Sequence, residues 1–144
     1  MKIPPLPRNM NPAFHEGRRK ARAEALQAKY TGRRDVLYTD AAEYGNKAAD
    51  TAVAVRDNGA LMACCTVSGV ETVEAEEVAI ALAISQKGVR VVISDSKNAV
   101  RNYESGRVTE TAVPNVDKST TKKPQPVNLR SSCFMLLSII RSCE

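Results

Sequence analysis

The stretch DTAVAVRDNGALMACCTVSG, residues 50–69, decides the fold because it contains a strong hairpin signal. Asn58 and Gly59 lie between two apolar runs whose composition favours β-structure. An Asn-Gly pair in such a setting is typical of the tight turn that joins two antiparallel strands. The stretch therefore predicts two successive antiparallel strands.

Two short apolar runs on either side of the hairpin predict further strands. DVLYT, residues 35–39, precedes it and VRVVISDS, residues 89–96, follows it. Nearly continuous apolar runs of this length are typical of strands that are buried on both faces of a sheet. Residues 70–88 lie between the hairpin and the second run. They repeat small and apolar residues at helical spacing, with acids in the first turns and Gly88 at the end. That segment predicts a helix.

The order of these elements predicts an α/β fold with a mixed sheet. Three antiparallel strands are followed by a crossover helix, a fourth strand and a short helix over residues 97–106. Because crossover connections are right-handed and return the chain to the same sheet, the fourth strand should run parallel to the first. The expected strand order is 3-2-1-4.

The charge of the chain is distributed unevenly. Residues 1–35 contain nine Lys and Arg against three acids, residues 36–117 seven against twelve, and residues 118–144 five against one. Basic arms of this kind favour a polyanionic partner such as nucleic acid, because binding releases counterions from the phosphates. A solvated charged helix and a disordered tail explain the same charges.

Composition divides the chain into three parts. We interpret residues 1–34 as a basic, Pro-rich leader with a surface or connector helix, and residues 35–113 as the folded domain. Residues 114–144 are polar, basic and rich in Pro, Ser and Thr, with a short apolar end. We expect them to form a disordered tail.

Cysteine use and apolar content indicate an intracellular protein, in the cytoplasm or the nucleus. The four cysteines form no C-x-x-C pair and the chain has one histidine, so no zinc pattern is present. The N-terminus has no apolar core of a secretory signal. The longest apolar run near the C-terminus, residues 133–140, is far shorter than the roughly 20 residues of a membrane helix.

The two buried strands both end on an aspartate. Asp40 follows the first strand and Asp95 follows the fourth. If these strands are parallel neighbours, both acids emerge at the carboxyl edge of the sheet, where ligand sites of α/β proteins form. Mg²⁺ bound between them would remove their repulsion. Taken alone, either Asp is typical of a turn or a helix N-cap, so the prediction depends on the pair.

The crossover helix supplies a third acid. Glu76 lies one turn before Ile80, at the edge of the expected packed face. Glu77 is turned by about 100° from it and is expected to face water. Glu74 is expected to cap the helix, three residues after Glu71 or two after Thr72. We therefore select Glu76 as the third metal ligand.

These three segments, in this order, resemble the ribonuclease H domain of non-LTR retrotransposon polyproteins, especially those abundant in tick genomes. YTDAA resembles the first catalytic strand of that domain, EAEEVAIALA its A-E-x-x-A-I helix, and VISDSKNAVRNY its third-acid segment. The likeness covers roughly Leu6 to Asn115. It implies that Asp40, Glu76 and Asp95 are the catalytic ligands of a two-Mg²⁺ hydrolase that cuts the RNA strand of RNA–DNA hybrids.

The resemblance also implies how the substrate is held. Contacts to 2′-OH groups beside the cut would select RNA. Basic residues of the connector would contact the backbone phosphates. These candidates are Arg18, Arg19, Lys20 and Arg22. An exposed basic helix without a partner explains the same residues.

The chain departs from the family after Val113. The family carries a fourth acid on a late helix, and Asp117, in the expected disordered tail, is a poor substitute. We therefore expect the last strand and helix of the family's fold to be absent, the second metal to lack a ligand and the sheet to keep an unpaired edge. The chain is expected to be a weak or inactive nuclease, truncated relative to the family. A catalytically dead nucleic-acid-binding remnant is the alternative.

A third hypothesis comes from another class of protein. In flavodoxin-like or receiver-like signalling modules, an acid at a strand end also binds Mg²⁺. The Asn58-Gly59 hairpin disfavours this class, because such folds lack successive antiparallel strands.

Overall fold

The computed structural model describes residues 3–5, 11, 13–43, 49–112 and 137–140. The helices are α1 (Glu16–Tyr30), α2 (Thr72–Ser85) and α3 (Lys97–Ser105), with a 3-10 turn at Glu110–Ala112. The strands are β1 (Val36–Glu43), β2 (Ala49–Val55), β3 (Leu61–Ser68), β4 (Val91–Ser94) and β5 (Leu137–Ile140). None of the helices in these ranges is both long and apolar enough to cross a membrane.

The sheet is mixed, as the sequence predicted. β1 and β2 pair antiparallel, as do β2 and β3, and β4 lies parallel to β1. The turn between β2 and β3 has Gly59 at a φ of 82°, which favours glycine, and Asn58 Oδ1 accepts a hydrogen bond from the N–H of Ala60 at 2.9 Å. The predicted order 3-2-1-4 is confirmed. Successive antiparallel strands contradict a flavodoxin-like sheet.

A fifth strand corrects one expectation about the tail. β5 pairs antiparallel with β4, from Val91 opposite Ile140 to Ser94 opposite Leu137. Residues 137–140 are therefore a strand, and the edge of β4 has a partner. The open edge of a strand offers unpaired N–H and C=O groups to any β-prone segment, and the run LSII suits that role. Asp117 and the rest of the predicted tail lie outside the described residues. The predicted absence of a last helix also falls on residues outside that range.

One face of the sheet packs against α2 and α3. The residues buried there are mostly small or β-branched. They are Leu37, Ala54, Ile80, Ala83, Val89, Val92, Ala99 and Val100, with Ala52, Val67, Val78, Ala79 and Ala112 beside them. Ala75, Ala79 and Ala83 recur every fourth residue on α2 and are fully buried. Their small side chains let the helix lie close to the strands, which brings its first turns to the sheet edge.

The other face packs against α1. Ala23, Leu26 and Tyr30 join one core with five residues of the strands, namely Val36, Tyr38, Val55, Val91 and Ile93. The helix is thus a layer of the fold rather than the surface connector that its sequence indicated. α1 has few large apolar residues, so its sequence did not indicate a buried helix. Three residues at helical spacing are nevertheless enough to cover the narrow apolar surface of β1 and β4.

Candidate metal centre

The candidate site lies at the edge of the sheet where β4 stops and β1 continues. The pairing of the two strands ends at Thr39 opposite Ser94, whereas β1 extends to Glu43. Asp40 is the first residue of β1 beyond the last pair, and Asp95 is the first residue after β4. Both acids therefore leave the sheet at the same carboxyl edge, as expected for parallel neighbours.

One backbone N–H of β1 contacts two of the acids. Beyond the end of β4, the N–H of Ala41 donates to Oδ1 of Asp40 at 2.8 Å and also hydrogen-bonds the carboxyl group of Glu76. The start of α2 is fixed by the predicted cap, in which the N–H of Glu71 donates to Oε2 of Glu74 at 3.0 Å. This capped start holds Glu76 one turn into the helix, beside β1.

The three predicted acids meet. One carboxylate oxygen from each of Asp40, Glu76 and Asp95 lies within 4.8 Å of the others. Glu76 is buried and the two aspartates are half-buried. Within the described ranges, no other group of three or more His, Cys, Asp or Glu comes this close. The triad could hold a metal ion.

The electrostatics of the triad disfavour three negative charges. Burial, followed by the charges of Asp95, Asp40 and Asp50, raises the pKa of Glu76 to about 8, against the hydrogen bond from Ala41. Burial and the charge of Asp40 raise the pKa of Asp95 to about 6. Burial also raises the pKa of Asp40. Without a cation, Glu76 is therefore largely protonated at neutral pH.

The donor set fits a hard divalent cation. Oε2 of Glu76 is buried and has no hydrogen-bond partner among the residues that the structure describes. A buried carboxylate oxygen without a partner is costly, and a cation beside it would remove that cost. Carboxylate oxygens are the ligands that Mg²⁺ and Ca²⁺ take in proteins.

The sequence reasoning was wrong about Glu77. Its side chain is fully buried instead of facing water. Oε1 accepts from Nδ2 of Asn102, and Oε2 accepts from the N–H of Thr109 at 2.9 Å and from its Oγ1 at 2.7 Å. The side of α2 that bears Glu77 is covered by α3 and the segment after it. The periodicity of α2 alone does not indicate that this side of the helix is buried.

The four predicted basic residues separate into two pairs. Arg18 and Lys20 are exposed, whereas Arg19 and Arg22 are partly buried. Arg19 lies four residues before Ala23, on the face of α1 that packs against the sheet. Its charge acts to lower the pKa of Asp95. At least one basic residue of α1 is therefore near the triad.

Comparisons with known proteins do not assign a family to this chain. A scan against protein-family models and searches of curated proteins and of solved structures found no match. The acidic triad and its surroundings are therefore the features of the chain that bear most directly on function.

Proposed function

We propose that this chain is a Mg²⁺-dependent phosphodiester hydrolase of the ribonuclease H type, as found in retrotransposon polyproteins. Its substrate is the RNA strand of RNA–DNA hybrids. Asp40, Glu76 and Asp95 are its catalytic metal ligands. One observation carries the proposal: carboxylates from β1, from the residue that follows the parallel strand β4 and from a capped helix lie within 4.8 Å of one another at the sheet edge.

The residues of the chain supply a rigid ligand set. Asp40 is anchored in the sheet by β2 on one side, Asp95 directly follows a buried strand, and Glu76 is buried on a capped helix. When bound, Mg²⁺ would supply an activated water and neutralise charge on the phosphate. The role of the three acids is to fix the position of that ion, so hydrolysis needs no Ser, Cys or His nucleophile.

The surroundings of the triad support a nucleic-acid substrate. α1 brings Arg19 near Asp95 and exposes Arg18 and Lys20. Positive groups beside a carboxylate-bound cation suit a chain of phosphates. The choice of the hybrid, with recognition of 2′-OH groups on the RNA strand, is supported by the resemblance of the three acid-bearing segments to ribonuclease H.

We further propose that activity is weak. Three carboxylates gather within 4.8 Å among the described residues, whereas the resemblance implies four. A site with fewer ligands holds its second ion less tightly, so a larger share of the protein is in an incomplete state at a given Mg²⁺ concentration.

The test is cleavage of an end-labelled RNA–DNA hybrid by the full chain with Mg²⁺. We expect slow cleavage of the RNA strand alone, and none with EDTA. Asp40→Asn should lower the rate by at least about 100-fold, because even partners of metal ligands typically contribute 10–100-fold. Glu104→Gln is the matched control, since Glu104 is exposed on α3.

The outcomes separate the two candidate roles. Equal cleavage by the wild type and Asp40→Asn would refute the assignment of the triad. Hybrid binding that weakens with salt, without cleavage at any Mg²⁺ concentration, would favour the nucleic-acid-binding remnant.

A further inference from the structure

Asp50 is a buried carboxylate close to the triad that the sequence reasoning did not select. Its side chain is 7% exposed, and its Oδ1 has no hydrogen-bond partner among the described residues. Asp50 is not one of the three acids that meet within 4.8 Å. It therefore needs an explanation of its own, since a buried oxygen without a partner is costly.

The register of β2 places Asp50 on the α2 side of the sheet. Asp50 lies opposite Val67 of β3, and directly opposed residues share a face. Val67 packs with Val78 and Ala79 of α2, and so does Ala52, two residues along β2. Alternation along the strand gives Asp50 the same face as Ala52.

The same packing sets Asp50 at the level of Glu76. Two residues of a strand advance about 6.7 Å and one helical turn advances about 5.4 Å. α2 packs along β2, with Ala79 beside Ala52. Moving two residues along β2, from Ala52 to Asp50, therefore corresponds to moving one turn along α2, from Ala79 to Ala75 and its neighbour Glu76. In agreement, the charge of Asp50 contributes to raising the pKa of Glu76.

Negative charge accumulates at this level of the sheet. Asp50 lies directly opposite Glu43 of β1, and like charges in opposed positions destabilise a sheet. No ion pair of Asp50, Glu43 or Glu76 is found in the described part of the chain, where Arg33 pairs with Asp35. Asp50 and Glu76 each keep one buried oxygen without a partner.

We propose that Asp50 and Glu76 hold a second divalent cation on the β2 side of Glu76, with Glu43 at its solvent edge. The inference rests on the proposed function, because Glu76 is shared with the triad. Mg²⁺ and Mn²⁺ keep several waters when they bind proteins, so the carboxylates need not converge on one point. The ion balances the charge of Asp50 and supplies the partner that its Oδ1 lacks.

The test is the number of Mn²⁺ ions bound by the full chain, measured by calorimetry and by electron paramagnetic resonance of free Mn²⁺. We expect two ions for the wild type and for Glu104→Gln, and one for Asp50→Asn. Glu43→Gln, at an exposed position, should weaken the second ion several-fold without changing the first.

Thermal melting distinguishes an ion site from a merely structural residue. Asp50→Asn removes a buried negative charge, so the metal-free variant should melt higher than the wild type, and its Mn²⁺-induced increase in Tm should be smaller. A lower metal-free Tm with an unchanged Mn²⁺ increase would overturn the inference.

The remaining outcomes separate this inference from the proposed function. Two ions bound by Asp50→Asn, or one bound by a wild type that cleaves the hybrid, would overturn the second site and leave the triad intact. A wild type that binds no Mn²⁺ would overturn both.

Discussion

Glu76 and Glu77 are consecutive buried glutamates on α2 with opposite surroundings. The carboxylate of Glu77 accepts three hydrogen bonds from Asn102 and Thr109, whereas Oε2 of Glu76 has no partner among the described residues. The C=O of Glu77 also accepts from the hydroxyl of Tyr103 at 2.8 Å. One residue therefore fastens α3 and the segment after it to α2, and the other keeps its acceptor capacity for a ligand.

Glu77→Gln should destabilise the fold. The amide would set an N–H₂ group against donors of Asn102 or Thr109, and hydrogen bonds to a charged acceptor contribute about 1.5–3 kcal/mol each. We expect the free energy of unfolding to fall by about 2–4 kcal/mol, measured by urea denaturation. Glu104→Gln should change it by less than about 0.5 kcal/mol. A similarly small effect for Glu77→Gln would show that Glu77 does not fasten α3 to α2.

The metal-free protein should lose stability as the pH rises from about 4.5 to about 8. The folded state keeps a proton on Glu76, whose pKa is raised from 4.5 to about 8, whereas the unfolded state releases it at the lower pH. The folded state thus binds more protons in this window, and the free energy of unfolding decreases with pH by up to a few kcal/mol. Urea denaturation in EDTA at several pH values measures this slope.

Glu76→Gln should remove the part of that slope above about pH 6, where Asp95 no longer contributes, together with the response to metal. Without the ionisable group, the metal-free variant should be more stable than the wild type at pH 8.5 and similar to it at pH 5. Saturating Mg²⁺ should raise the Tm of the wild type through linkage and leave Glu76→Gln nearly unchanged. If Mg²⁺ stabilises the variant as much as the wild type, Glu76 is not a ligand.

The strands and the triad could be predicted because local patterns determine them. The Asn58-Gly59 turn fixed the antiparallel pairs, and the crossover made β4 parallel to β1. Once those strands are neighbours, Asp40 and Asp95 must emerge together. Periodicity along α2 then placed Glu76 near them.

The remaining features depend on contacts between segments that are distant in the sequence. The burial of Glu77 requires Asn102 and Thr109, which lie 25 and 32 residues away. The burial of Asp50 depends on how α2 packs over β2, where Val78 and Ala79 lie beside Ala52. The position of β5 depends on which edge of the sheet stays open. No local pattern carries this information.

Arg18 should act on binding alone. Its side chain is exposed on α1, so it can contact a phosphate without touching the triad. Arg18→Gln should weaken hybrid binding uniformly across sequences and reduce the slope of log affinity against log salt by about 1. Fluorescence anisotropy at several salt concentrations, with Ca²⁺ replacing Mg²⁺, measures it. An unchanged slope would place the nucleic acid elsewhere.

Arg19 should act on the metal site as well. Its positive charge holds down the pKa of Asp95, which burial and Asp40 raise to about 6. Arg19→Gln should therefore raise that pKa further, so more Asp95 is protonated at pH 6 and fewer ligands are ready for Mg²⁺. Loss of the Arg19 charge also removes its repulsion of Mg²⁺ at every pH, so the pH dependence isolates the effect on Asp95. We expect the ratio of the Mg²⁺ affinity of Arg19→Gln to that of Arg18→Gln to fall between pH 8 and pH 6, by calorimetry. A ratio that does not change with pH would show that Arg19 does not set the pKa of Asp95.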